Sequence, residues 1–156
     1  MSFTNGKTGA EEHLRMAFQL AREAKELGDG PFGALVLNES NEIIARAGNT
    51  TTTEHSVTYH AEINAIQQAE YNRGKGKLKG CTLISSAEPC PMCASAIVWS
   101  GLTKVIYGVS IQSMEDAGIG QISIDSRTIF NKAGREIEVH GPLMEEEGMK
   151  VFGIEK

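Results

Sequence analysis

Apolar residues recur at Leu14, Ala17, Phe18 and Ala21 in the three-and-four spacing of one helix face, and Gly28 offers a stop. Thr8 with Glu11 three residues on has the form of a capping box, so the first helix is expected over about residues 11–27. The period then changes. GALVLN at 33–38 and IIARAG at 43–48 are short apolar runs around the polar NESNE, and they predict an antiparallel hairpin. Helical spacing returns with Ile63, Ala65, Ile66 and Ala69, giving a helix over residues 61–72 that a glycine-rich loop ends. Residues 81–85 form a buried strand candidate, and the apolar run 92–99 predicts a helix against a sheet, ending near Gly101. A β-branched strand follows at 105–109, then a glycine-interrupted stretch to Phe130, a polar strand at 136–140 and a last short helix over about 143–150. Helices alternating with strands make an α/β sandwich the expected architecture.

At 156 residues, with no repeat or linker, the chain reads as a single domain over 1–156. Residues 1–9 are polar, lack the pattern of a secretory signal or transit peptide, and read as a short flexible tail. No segment approaches the ~18 apolar residues of a membrane-spanning helix, so no membrane partner is expected. Three cysteines cannot all pair within one chain, and two of them form a CxxC. Metal or redox work in a reducing compartment, the cytoplasm, therefore fits better than a disulfide framework. The net charge of -5 and pI near 5.4 give no general attraction to phosphate backbones, which favours a small-molecule substrate over nucleic acid. Arg73, Lys75, Lys77 and Lys79, interleaved with glycines, read as an ordinary solvated loop.

The chemistry is concentrated in two short motifs, HAE at 60–62 and PCPMC at 89–93. HAE alone carries little weight, and a lone CxxC leaves redox, structural-zinc and buried-thiol roles open. In this order they match the pattern in which one His and two Cys hold zinc while the Glu is no ligand. His60, Cys90 and Cys93 are then the metal ligands and Glu62 the catalytic proton carrier. Three protein ligands leave a fourth position for water, whose pKa zinc lowers to about 7. Each ligand-bearing helix is expected to present its N-terminus to the site, which favours thiolate. A closed zinc site would need a fourth ligand from Cys81, His13, His55 or His140. Cys81 reads more simply as a small buried residue at a strand start, and those histidines as surface residues. A thioredoxin-like use of CxxC leaves HAE unexplained and lacks an early βαβ unit. A non-catalytic zinc-binding module is the contrasting class.

On these residues the chain resembles the cytidine-deaminase-like superfamily, in the branch of guanine deaminases, yeast-type cytosine deaminase and tRNA adenosine deaminases. The resemblance covers about residues 14–109. Its further markers are GPFGALV at 30–36, the pair Gly48–Asn49 before a threonine-rich loop, and EPCPMCASAIVWS at 88–100. It implies a three-layer α/β/α sandwich with a central five-stranded mixed sheet, the two motif helices side by side, a zinc cofactor and a homodimer. It places Asn49, Phe32, Ala61 and Trp99 at the substrate. Asn49 matches an asparagine whose amide hydrogen-bonds the base, although a turn role would also suit it. Phe32 and Trp99 look more like guanine deaminase than tRNA adenosine deaminase, and either ring could equally be core packing. The implied activity is deamination of a free base, guanine-like first, with cytosine, isocytosine or an amino-triazine as other rings. A nucleoside or nucleotide deaminase would need cations near the pocket, for which residues 73–79 are the candidate. There is one departure. Guanine deaminases carry a second carboxylate soon after an Ala-Gly, where this chain has Ala117, Gly118, Ile119, Gly120 and Gln121. Glu115, Asp116, Asp125 or Glu145 to Glu147 are the substitutes. The C-terminal fifth is where such proteins often close over substrate.

Overall fold

The computed structural model describes residues 6–153, with side chains from Gly9 onward. Helix α1 (Gly6–Glu26) leads to strands β1 (Gly33–Leu37) and β2 (Ile43–Gly48), helix α2 (Ala61–Arg73), strand β3 (Thr82–Ala87) and helix α3 (Pro91–Ser100). Strand β4 (Lys104–Val109), short helices α4 (Ile111–Asp116) and α5 (Ser126–Phe130), strand β5 (Glu138–His140) and helix α6 (Glu145–Met149) follow. The last helix runs into a 3-10 turn (Lys150–Phe152).

The strands form one mixed sheet in the order β2-β1-β3-β4-β5. β1 is antiparallel to both β2 and β3, whereas β3, β4 and β5 run parallel. Side chains alternate across it with period two. Leu35, Leu37, Ile84 and Ile106 meet Leu14, Ala17 and Phe18 of α1, together with Val151 of the 3-10 turn. The intervening Ala34, Val36, Leu83 and Val105 meet Ala65 and Ala69 of α2 and Ala94 and Ile97 of α3. Both faces are covered, which is why every residue of β1 and β3 is buried and β1 reads as a continuous apolar run. The result is the expected three-layer sandwich. Gly33 makes one layer contact tight: a Cβ there would stand 2.3 Å from the Ala17 carbonyl oxygen, so only glycine lets α1 rest on β1.

Three expectations change. Helix α1 starts at Gly6, so Thr8 lies within its first turn rather than capping it, and residues 6–9 are helical rather than a tail. Ala10 packs against the α1-side core and carries the helix past the expected start; residues 1–5 of the expected tail lie outside the described residues. The stretch expected to be irregular to Phe130 holds α4 and α5. Ser110 caps the first, accepting from Ser113 N at 3.0 Å, and Asp125 caps the second, accepting from Thr128 N at 2.9 Å. Among the described residues no helix is long and apolar enough to cross a membrane.

Candidate active site

The parallel strands β3 and β4 end together, Ala87 opposite Val109, and their carboxyl ends are where an open α/β sheet leaves a crevice. From Ala87 the chain passes through Glu88 and Pro89 to Cys90, the N-cap of α3, with Pro91 preset for the first helical position. His60 is the extended N-cap of α2, which packs beside α3. Two helix N-termini therefore meet at one point. His60 Nδ1 lies 3.7 Å from Cys90 Sγ and 3.5 Å from Cys93 Sγ, and the three donor atoms lie within 4.8 Å of one another. Tetrahedral zinc, with bonds of about 2.3 Å to sulfur and about 2.0 Å to nitrogen, requires N···S separations of about 3.5 Å. The donor set fits. Among the described residues Cys81, His13, His55 and His140 do not join this group, so a bound ion would keep an open position.

The sulfurs divide one proton between them. Hydrogen bonding from the Cys93 thiol, with the His60 ring and the Cys93 N–H adding to it, outweighs burial and pulls Cys90 down to about 4. Cys93 is pushed well up, first by its bond to Cys90 and then by burial. A divalent cation reverses the second shift and releases that proton. His60 is raised, chiefly by Cys90.

Glu62 lies in the first turn of α2, two residues after His60 and only 6% exposed. Burial drives it up to about 7, against the opposing pull of its own N–H, His60 and the Ser85 hydroxyl. A carboxyl poised there can take or give a proton at neutral pH. The Ala61 methyl between His60 and Glu62 is sealed into the core.

Asn49, 5% exposed, follows directly after β2. Its Oδ1 accepts from Thr51 N at 2.9 Å, Thr51 Oγ1 at 2.8 Å and Gly30 N at 3.3 Å. Three donors fix the amide, so Nδ2 is the end left to donate. The Asn49 N–H donates to the Phe32 carbonyl at 3.1 Å, and the Asn49 amide and Phe32 ring both lie against Gly30. Phe32 meets Phe152 edge to face, with centroids 5.6 Å apart. Trp99 is not part of this group. Six residues beyond Cys93 on α3, it is turned to the outer surface, 83% exposed, beside Ile63, Lys75 and Gly76.

Residues 7–109 match the model of the cytidine and deoxycytidylate deaminase zinc-binding region. The chain belongs to this deaminase family. A probable cytosine deaminase of Schizosaccharomyces pombe is 34% identical over 142 residues, 88% of this chain and 86% of that one. A tRNA-specific adenosine deaminase of Bacillus subtilis is 44% identical over 102 residues, 65% of this chain and 62% of that one. The solved guanine deaminase of Nitrosomonas europaea superposes with a TM-score of 0.78 at 25% identity, over 90% of this chain and 81% of that one. Zinc is thus the family's metal, and the donor set of this deaminase is the one just described.

All the substitute carboxylates in this deaminase except Glu146 are engaged elsewhere. Glu115 accepts from Ser123, Asp116 from Gln112 at 2.8 Å, and Asp125 caps α5. Glu145 accepts from Ser110 N at 2.9 Å, and Glu147 pairs with Arg15 at 3.2 Å. Sequence reading missed two buried carboxylates. Asp29 holds the loop after Asn49, accepting from Thr52 N at 2.9 Å, Thr53 N at 2.8 Å and Thr53 Oγ1 at 2.5 Å. Glu88 joins the metal turn to α4 and α5. Asp29 had no local signal, since its donors Thr52 and Thr53 lie 23 and 24 residues on. Glu88 stood in plain view inside EPCPMC, with nothing local to reveal partners 23 and 38 residues away.

Proposed function

We propose that this family member hydrolytically deaminates a free amino-substituted nucleobase or related heterocycle. A guanine-like base comes first, with cytosine, isocytosine and amino-triazines as the other rings. The observation that carries this is Glu62, buried in the first turn of the helix that His60 caps and poised near neutrality. His60, Cys90 and Cys93 hold the zinc, which when bound activates a water at its open position. Glu62 holds the proton removed from water, passes it to a ring nitrogen, and serves again as the amine departs. A C–O bond forms, the C–N bond breaks, and ammonia leaves. Asn49 Nδ2 donates to an acceptor on the ring, and Phe32, backed by Phe152, packs against its flat face or edge. A site built on two cysteine sulfurs suits a reducing compartment, which supports a cytoplasmic location.

An ammonia-release screen of the zinc-loaded protein against guanine, cytosine, isocytosine, adenine, ammeline and their nucleosides tests the reading. Turnover of free bases with guanine fastest is expected. Faster turnover of cytosine reassigns the ring, and no ammonia from any base rejects the activity. The 44% identity to a tRNA-specific adenosine deaminase favours a second reading. Retention on anticodon-stem RNA that falls steeply with salt would select it; absence of retention, expected at a net charge of -5, selects the base enzyme.

The protein also works, in this proposal, as a homodimer. Trp99 (83% exposed) and Tyr71 (91% exposed) flank α2 and α3, and Trp99 borders a groove of about 550 Å³ lined by Ile63, Ile66 and Ala96. Large rings exposed beside an apolar groove mark a contact surface.

A further inference from the structure

Glu88 is a buried carboxyl two residues before Cys90 that has no part in the chemistry above. Its Oε1 accepts from Ile111 N at 2.9 Å, and its Oε2 accepts from Ser126 N at 2.8 Å and Ser126 Oγ at 2.7 Å. Its own N–H donates to the Val109 carbonyl at 2.7 Å. Ile111 and Ser126 are the first residues of α4 and α5, whose opening N–H groups have no partner within their own helices. One side chain thus ties down both ends of the excursion 111–126. Within that excursion Ile119 packs with Phe32, Met149 and Phe152 against Ala87 and Val109. The neighbouring Ser110 N–H is taken by Glu145 of α6, so two carboxylates fix the turn entering α4. Hydrogen bonds to a charged acceptor are roughly twice as strong as neutral ones, and these are shielded from water.

We propose that Glu88 is a positioning residue. It clips both ends of the 111–126 excursion to the turn that carries Cys90, and so keeps the apolar wall at Ile119 and Phe32 in register with the metal cluster. The wall bounds the pocket assigned to the substrate ring, and that part of the inference rests on the deaminase reading. Glu88→Gln tests it with almost no change of shape. The amide has one oxygen, so its NH2 must face either the Ile111 donor or both Ser126 donors.

The experiment combines zinc analysis, hydrogen exchange and steady-state kinetics on zinc-loaded E88Q, using the best base from the ammonia screen. Zinc content is expected to match wild type, because the three donors are untouched. Exchange within residues 111–126 should accelerate by about tenfold or more, the effect of losing a charge-assisted hydrogen bond, while α2 and α3 exchange as before. KM should rise by about tenfold with kcat within about threefold, since the wall orients the ring and the proton carrier is unchanged. Unchanged exchange in 111–126, equal acceleration throughout α2 and α3, or a fall in kcat at constant KM overturns the proposal. S126A removes one of the three bonds and should shift the same peptides less; if E88Q does not fold, that pattern alone decides. Exchange needs no substrate. A local change in E88Q with an inactive wild type would therefore sink the deaminase reading and leave the clip standing.

Discussion

Asn49 carries two roles at its two ends, and a pair of substitutions separates them. Asn49→Asp keeps Oδ1 for Gly30 and Thr51 and replaces the free donor with an acceptor. It should fold with a Tm near wild type and lose about a hundredfold or more in kcat/KM, from one lost donor and one opposed acceptor. Asn49→Ala orphans the Thr51 and Gly30 donors as well, so circular-dichroism melts should show about 2 kcal/mol lost. At Glu62, Gln substitution preserves shape and removes the proton carrier. Ammonia release should fall by about a thousandfold with zinc content unchanged, and wild-type turnover with full zinc would reject the assignment. Cys93 sets a pH dependence of metal loading. Its thiol is raised in the metal-free protein, so zinc must displace a proton and binds more tightly as pH rises, until Cys93 ionises without metal. Chelator competition at pH 6, 7 and 8 should show affinity increasing along the series.

At the scale of elements, α3 is held at both ends. Its N-terminus is Cys90, and at its C-terminus Arg135 donates to the carbonyls of Leu102 at 2.7 Å, Val98 at 2.9 Å and Ile97 at 3.2 Å. A cation suits that end of the helix. Arg135→Ala should cost about 2 kcal/mol, visible as a drop of roughly 6 °C in Tm, and should weaken zinc retention because Cys90 and Cys93 ride on the same helix. Most of these elements were legible. Ala65, Ile66 and Ala69 fell on the buried face of α2 while Ile63 lies toward the outer groove, and GALVLN and IIARAG paired across a polar turn, so apolar spacing placed α2 and the hairpin. Helices α4 and α5 were not read, because they are six and five residues long and show too little periodicity to register. Their caps, Ser110 before Ser113 and Asp125 before Thr128, were the local signal left unused.

At the scale of the whole molecule, the outer face of α2 and α3 predicts association. Light scattering should give twice the chain mass, and Trp99→Glu should shift the protein to a folded monomer whose Tm is lower and no longer depends on protein concentration. Acid stability follows from Asp29 and Asp125, both held below the usual aspartate value, first by side-chain hydrogen bonds from Thr53 and Thr128. A carboxylate depressed in the folded state stabilises fully above its unfolded value and loses that contribution as pH falls through its lower folded value. Tm should therefore fall below about pH 4, and less steeply in Asp29→Asn, whose melting should already be lower at pH 6.

By itself the sequence determined the alternation of helices and strands and, from two motifs taken together, the three donors His60, Cys90 and Cys93, because each depends on spacing within short segments. Tertiary structure decided what those segments share. It turned Trp99 to the outer surface and gave the candidate carboxylates Glu115 and Asp116 partners of their own. It also brought Glu88 to two helices far along the chain and laid Phe152 against Phe32. Those contacts join residues tens of positions apart through buried donors and closely packed rings, and neither period nor motif encodes them.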